Sequence, residues 1–200
     1  MQIAVYGATG MVGSEITAEA LRRGHQVTAV SRSGTALEGT AARTADLGDA
    51  AEFARIAGDH DLVVVSVAPD RAGNTHESYL KAHRSIAASK APARIFVIGG
   101  AGALEIEGVQ LKDTPGFPLD YKAEAETMAK VLNVYREAED LDWTMLAPAP
   151  QITPGERTGS YTLGTDSPAG HSISTQDFAV AALDEIESAR HRKQRFTAAN

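Results

Sequence analysis

The chain has 200 residues, 43% of them hydrophobic and 22% charged, a size and balance that suit one globular domain with its own core. It contains no cysteine, which excludes disulfides, thiolate nucleophiles and cysteine-ligated metals. The net charge of −7 is mixed along the sequence, and its one basic cluster, Arg190-His191-Arg192-Lys193 with Arg195, reads as a solvated surface connection rather than a nucleic-acid contact.

Met1–Tyr6 leads straight into a strand, with neither a basic leader nor a cleavable apolar run, so a cytoplasmic protein is expected. No apolar run approaches the roughly 18 residues a membrane helix needs, so no membrane partner is expected. Ile3–Tyr6 is predicted as the first strand. After a Gly-rich turn, Val12, Ile16, Ala20 and Leu21 share one helical face that stops at Gly24. Val27–Val30 and Ala42–Ala45 are the next strands, and a short helix with Phe53 and Ile56 follows. Leu62–Val67 is apolar almost throughout, as a central strand covered on both faces must be. Asn74-Thr75-His76-Glu77 has the pattern of a helix cap, ahead of a stripe of Tyr79, Leu80, His83 and Ile86.

Arg94–Ile98 is predicted as the fifth strand and runs into Gly99-Gly100-Ala101-Gly102. A long helix is expected over about 122–140, with Ala125, Met128, Ala129 and Leu132 at helical spacing. Trp143–Leu146 is a sixth strand, and residues 151–173 read as a small hairpin or lid over the acceptor site. Ser174 or Thr175 caps a last helix with Phe178, Ala182, Leu183 and Ile186 inward, and Arg195–Thr197 adds an edge strand. Strands alternating with helices predict a Rossmann-type, doubly wound parallel sheet, three-layer αβα, in a single domain over 1–200.

The strongest chemical signal is Gly7-Ala8-Thr9-Gly10-Met11-Val12-Gly13, between the first strand and the first helix. The first glycine permits a tight turn, the second lets backbone approach a pyrophosphate, and the third lets helix and strand pack closely. The pyrophosphate then sits on the free N–H groups at the helix N-terminus. A plain βα turn is the alternative, and the strand–turn–helix context argues against it.

The loop, with Ser31-Arg32-Ser33, resembles the atypical short-chain dehydrogenase/reductases of the NmrA-like, NAD(P)H-binding group. Within it the match is to the NADH-flavin reductases, relatives of biliverdin reductase B. Phe96–Gly102, Tyr121–Ala125, Asp142-Trp143-Thr144 with Pro148, Gly155–Gly159 and Ser172-Ile173-Ser174 carry the resemblance over nearly the whole chain. It implies that Asp46 and Leu47 lie against the adenine. Ser66, Val67 and Ala68, ending the fourth strand, are expected to approach the adenosine ribose and pyrophosphate.

NAD-preferring relatives carry an acid near the end of the second strand. Here the chain reads Val30-Ser31-Arg32-Ser33, with no carboxylate to repel a 2′-phosphate and a guanidinium to pair with one, so NADP(H) is expected over NAD(H). The alternative for Arg32 is a surface arginine at a strand end. Conventional members of the superfamily reduce carbonyls with Ser, Tyr and Lys, the last two spaced Tyr-x-x-x-Lys. Here glycines stand where the serine should be, Lys122 adjoins Tyr121, and Ala125 lies four residues on. The two side chains therefore diverge by about 100° on a helix.

Tyr121 reads either as a substrate wall or donor or as an interface or core residue. Lys122 reads either as a ligand of a carboxamide, ribose hydroxyl or flavin phosphate, or as a plain helix-start lysine. Gly99 and Gly100 form a shelf for flat rings, and Pro148 either shapes the nicotinamide pocket or merely ends its strand. His76 and His83 read as structural or solvated, and no metal is expected. The leading function is hydride transfer from NADPH to a flavin, a quinone or a tetrapyrrole, with the flavin as substrate rather than prosthetic group, in a monomer or homodimer. The alternative is a non-catalytic NADP(H) redox sensor. A sugar-nucleotide epimerase is disfavoured, because that chemistry normally needs Tyr-x-x-x-Lys and a substantial substrate domain.

Overall fold

Alternation within the strands splits the core into two layers, one on each face of a single sheet. In β1 (Gln2–Tyr6), Ala4 and Tyr6 face one layer, while Ile3 and Val5 face the other. The computed structural model describes residues 1–200 and continues with α1 (Met11–Arg22), β2 (Gln26–Ser31), β3 (Ala41–Thr44), α2 (Ala50–Asp59), β4 (Leu62–Val65), α3 (Glu77–Ala88) and β5 (Arg94–Ile98). A short antiparallel pair, β6 (Glu105–Ile106) and β7 (Val109–Gln110), precedes α4 (Lys122–Arg136) and β8 (Trp143–Pro148). The chain ends with β9 (Gln151–Thr153), β10 (Thr162–Gly164), β11 (Ser172–Ser174), α5 (Thr175–Ser188) and β12 (Gln194–Ala199).

The eight-stranded sheet has the order β3-β2-β1-β4-β5-β8-β12-β10, and every pairing is parallel except that of β10. On one face Phe53 and Ile56 of α2, Leu80 and Ile86 of α3, and Leu132 and Tyr135 of α4 pack on Val63, Val65, Ile95 and Val97. On the other, Ile16 and Ala20 of α1 and Phe178, Leu183 and Ile186 of α5 cover Leu62, Val64 and Phe96. This is the doubly wound αβα architecture expected from the sequence.

Four local expectations need correction. Arg195–Thr197 is not an edge: β12 lies inside the sheet, parallel to β8, and β10 forms the edge beyond it. Residues 151–173 form no hairpin. β9 pairs in parallel with β11, and the chain between them runs over α1 and α5. There Arg157 Nε donates to Glu19 of α1 at 3.0 Å, and Asp177 of α5 accepts from the N–H groups of Thr158 and Gly159 at 2.9 and 2.7 Å. Those contacts hold the connection over the helices, and a crossover of this length is what the parallel pairing of β9 and β11 requires. Asn74 caps no helix. Asp70 takes the N–H groups of Ala72 and Asn74 at 3.0 and 3.1 Å, and α3 begins only after His76. Finally α4 stops at Arg136, short of Asp140. Ser174 does cap α5, its Oγ accepting from the Asp177 N–H at 3.0 Å.

Candidate active site

The strand order reverses at β1: the chain leaves it towards β2 and β3, then returns to its other side as β4. Loops leaving the carboxyl ends of β1 and β4 therefore part, and the crevice between them is where such sheets bind ligands. Gly7 turns the chain there with φ +76°, and a Cβ on it would lie 2.3 Å from the Ser66 carbonyl oxygen. A Cβ on Gly13 would lie 2.1 Å from the Gly7 carbonyl oxygen. Both glycines are demanded by the protein's own packing.

Gly10 is different. Its backbone is ordinary extended chain (φ −79°, ψ 167°), and its nearest neighbour to a Cβ is the Gly7 oxygen at 3.2 Å. It is exposed, so the fold leaves the side of this residue open. No side chain caps α1 and no acid occupies its first turn. The first N–H to reach back, that of Ser14 to Gly10 O at 2.9 Å, leaves the N–H groups of Met11, Val12 and Gly13 unpaired at the positive end of the helix dipole. An open, glycine-floored cradle of free donors fits a pyrophosphate. Thr9 lies on its exposed rim.

At the next strand ends, Arg32 is exposed beyond β2 and binds no other side chain. Around it the hydroxyls of Ser31, Ser33 and Thr35 form a chain with steps of 3.3 and 2.7 Å, and the Thr35 N–H donates to Ser31 Oγ at 3.1 Å. After β3, the exposed Asp46 accepts from the Gly48 N–H at 2.8 Å, while Leu47 is buried in the core beneath. Ser66 ties to β1 through its N–H on Tyr6 O at 2.9 Å, leaving Val67 half-buried and Ala68 exposed in the crevice. These positions line one continuous edge, from Arg32 to the phosphate loop.

The far end is built by packing. The Gly99 N–H donates to Leu146 O at 2.8 Å. A Cβ on Gly99 would lie 2.9 Å from Met145 Cγ, one on Gly100 3.2 Å from Met128, and one on Gly102 2.5 Å from the Ala125 Cβ. The close approach of α4 and β8 thus crowds these positions, most tightly at Gly102 against Ala125, which the notion of a shelf for rings did not foresee. Pro148, half-buried, sits opposite Ala198 of β12.

Tyr121 and Lys122 do diverge. Tyr121, half-exposed at the head of α4, lies with its ring 5.7 Å from the Arg71 guanidinium, which is forked onto Glu124 at 2.6 and 2.9 Å. The Lys122 ammonium binds Asp113 at 2.9 Å and the Lys112 carbonyl. His76 bridges Thr127 Oγ1 and Asp70 O at 2.7 Å each. His83 is buried between Tyr79 and Tyr135, and burial lowers its pKa to about 3. No three His, Cys, Asp or Glu side chains converge on one point. The C-terminal basic cluster spreads into separate contacts: His191 with Glu185, Arg192 with Asp142, Lys193 with Glu139 O and Arg195 with Asp166.

Sequence reasoning did not single out Arg71, Glu124 or Asp113, nor Glu19 and Asp177, which hold residues 157–159. Burial opposes ionisation of the Asp177 carboxyl, but its bonds from Thr158, Gly159 and Asn200 outweigh this and hold it below its usual range. Arg71 and Glu124 are 53 residues apart and Arg157 and Glu19 are 138 apart, so no local pattern marks those pairs.

Comparison with known proteins agrees with this geometry. A crystal structure of a Burkholderia pseudomallei protein named a "putative exported protein" superposes with TM-score 0.90 at 41% identity and covers 100% of both chains. A "putative NADH-flavin reductase" from Streptococcus pneumoniae superposes with TM-score 0.87 at 29% identity, covering 100% of this chain and 99% of the other. The uncharacterized Bacillus subtilis protein YwnB is 35% identical over 98% of this chain and 97% of its own length. No helix is long and apolar enough to cross a membrane. A family model described as NAD(P)H-binding matches residues 7–189, and the chain belongs to that NAD(P)H-binding, oxidoreductase-like family.

Proposed function

We propose that the chain is a reductase that takes hydride from NADPH and delivers it to a flavin or a similar flat aromatic acceptor. The observation that carries this reading lies at the carboxyl end of β5. Glycines stand where the conventional serine would, with Met145 and Met128 packed 2.9 and 3.2 Å from the Cβ positions of Gly99 and Gly100, while Tyr121 turns to Arg71 and Lys122 turns to Asp113. A carbonyl acceptor needs a positioned acid to protonate its alkoxide. A flavin does not: the nicotinamide C4–H bond breaks, a bond from that hydride to flavin N5 forms, and N1 takes its proton from water. The chain's part is to hold the dinucleotide on its loop, orient the rings and exclude solvent.

The preference for NADPH rests on Arg32 and on the lack of a carboxylate at the end of β2. The Streptococcus relative, by its name, points to the same class of acceptor. Such a reductase draws on the cytoplasmic dinucleotide pool, and we place the chain there. The test is to follow NADPH absorbance with riboflavin, FMN, FAD, quinones, biliverdin and simple ketones as acceptors. Turnover of flavins but not ketones supports the proposal. Tight NADPH binding with no turnover of any acceptor would overturn it and favour a dinucleotide sensor.

A further inference from the structure

We infer that the acceptor enters this site as an uncharged ring system, such as riboflavin or a quinone, in preference to a phosphorylated flavin or a carboxylate-bearing tetrapyrrole. This rests on the proposed hydride transfer and names the class of molecule that receives it. The acceptor end is framed by residues 66–76 after β4, 99–103 after β5, the turns over 111–121 and the head of α4. Three cations stand there, Arg71, Lys112 and Lys122, and each is already bound to a carboxylate. Arg71 is forked onto Glu124, and both ammonium groups converge on Asp113. Hydrogen bonds from Lys112 and Lys122 hold the Asp113 carboxyl below its usual range.

The same frame carries five carboxylates, Asp70, Asp113, Asp120, Glu124 and Glu126, against those three cations. A dianionic phosphate arriving here meets no free donor cation and an excess of negative charge. To be held, it must break an existing pair and leave a carboxylate without its partner. The opposite end of the crevice is built otherwise: Arg32 stands exposed and bound to no side chain, where a 2′-phosphate calls for it. The chain thus presents a free cation at one end of its ligand groove and none at the other. An uncharged ring needs only the apolar surfaces and backbone that this end supplies.

The experiment compares riboflavin with FMN, by kcat/KM with saturating NADPH and by direct binding through quenching of flavin fluorescence. Riboflavin is expected to exceed FMN by about tenfold or more in both readouts, the cost to FMN of breaking one charge-assisted pair. Raising KCl to about 0.5 M should narrow the gap by screening. Asp113→Asn, at an exposed side chain outside the dinucleotide loop, removes the carboxylate charge that both ammonium groups share, although Lys122 keeps the Lys112 carbonyl and Glu126 nearby. It should improve FMN severalfold while riboflavin changes less than twofold. FMN bound and reduced as well as riboflavin by the wild-type chain would overturn the inference and leave flavin reduction standing. Riboflavin bound tenfold more tightly than FMN, with neither reduced, would support the charge selectivity and overturn the reductase reading. Failure of riboflavin to bind at all would overturn the inference directly.

Discussion

Replacing Gly10 by valine separates ligand binding from folding, because of the three loop glycines only this one has both an ordinary backbone and no severe clash at its Cβ. Its φ of −79° and ψ of 167° suit any residue, and its Cβ would meet only the Gly7 oxygen, at 3.2 Å. An exposed substitution of this kind should change stability by less than about 1 kcal/mol. The isopropyl group would, however, occupy the open side of the cradle through which pyrophosphate oxygens reach the N–H groups of Met11, Val12 and Gly13. Losing two charge-assisted bonds, at about 1.5–3 kcal/mol each, costs roughly 3–6 kcal/mol, or at least about 100-fold in affinity. Gly13→Val is the control. Its Cβ would fall 2.1 Å from the Gly7 oxygen, so the turn must open, and the expected cost is several kcal/mol of stability. Thermal unfolding by circular dichroism and NADPH fluorescence titration read the two effects independently. A folded Gly10→Val chain that binds NADPH within threefold of wild type would refute the placement of the pyrophosphate. A Gly10→Val chain as unstable as Gly13→Val would refute the claim that its glycine serves the ligand.

Arg32→Ala should weaken NADPH binding by about 10–150-fold and NADH binding by less than about twofold, by calorimetric titration; equal losses would make Arg32 structural. Tyr121→Phe should lower kcat with saturating flavin by less than about tenfold, whereas a positioned acid would be worth about 10²–10⁴, so a thousandfold loss would restore a tyrosine-centred mechanism. His83, held neutral by burial with a pKa of about 3, binds its proton less readily than the unfolded chain does, at an ordinary value of about 6.5. Its contribution to stability is therefore complete above about pH 6.5 and is lost as pH falls towards 3, amounting to about 2 kcal/mol at pH 5. Urea unfolding at pH 7.5 and pH 5 should show this drop in the wild type and a smaller one in His83→Gln; an unchanged drop in the variant would refute it.

What the sequence discloses is what repeats locally. Alternating Ile3, Ala4, Val5 and Tyr6 show a strand covered on both faces, and Gly7–Gly13 placed before an apolar helical stripe shows the tight turn from β1 into α1, because both patterns close within one element. Arg195 shows where such reading stops. A charged residue beside Arg192 and Lys193 reads as surface, yet its side chain is almost wholly buried. What pays for its burial is the Ala103 carbonyl, 92 residues away in sequence, together with Asp166. Hence β12 looks like an exposed edge strand until its partners are known. Gly99, Gly100 and Gly102 show a second limit. A glycine declares that space is needed near its Cα but not which neighbour needs it, and here the claimants are Met145, Met128 and Ala125.

On the proposed reading the two halves of the crevice, a dinucleotide end and an acceptor end, handle charge in opposite ways, and this makes their functions separable. At the dinucleotide end the groups offered to a ligand are unspent: free N–H donors at the head of α1 and an unpaired Arg32. A charged ligand there gains contacts without breaking any, so affinity is concentrated in that half. At the acceptor end the polar groups are spent on one another, Arg71 on Glu124 and both lysines on Asp113. They stiffen the frame around Gly99–Gly102 and leave contact with the acceptor to shape and exclusion of water. Substitutions at Gly10 or Arg32 should then act on dinucleotide affinity with any acceptor, while those at Asp113 or Tyr121 should act on the choice of acceptor and leave dinucleotide affinity alone. Sites more than 10 Å apart with no shared partners generally add in free energy. A chain carrying both Arg32→Ala and Asp113→Asn should therefore show the product of the two single effects. A marked departure from that product would mean that the two ends communicate through the loop after β4, the segment that carries both Ser66 and Arg71.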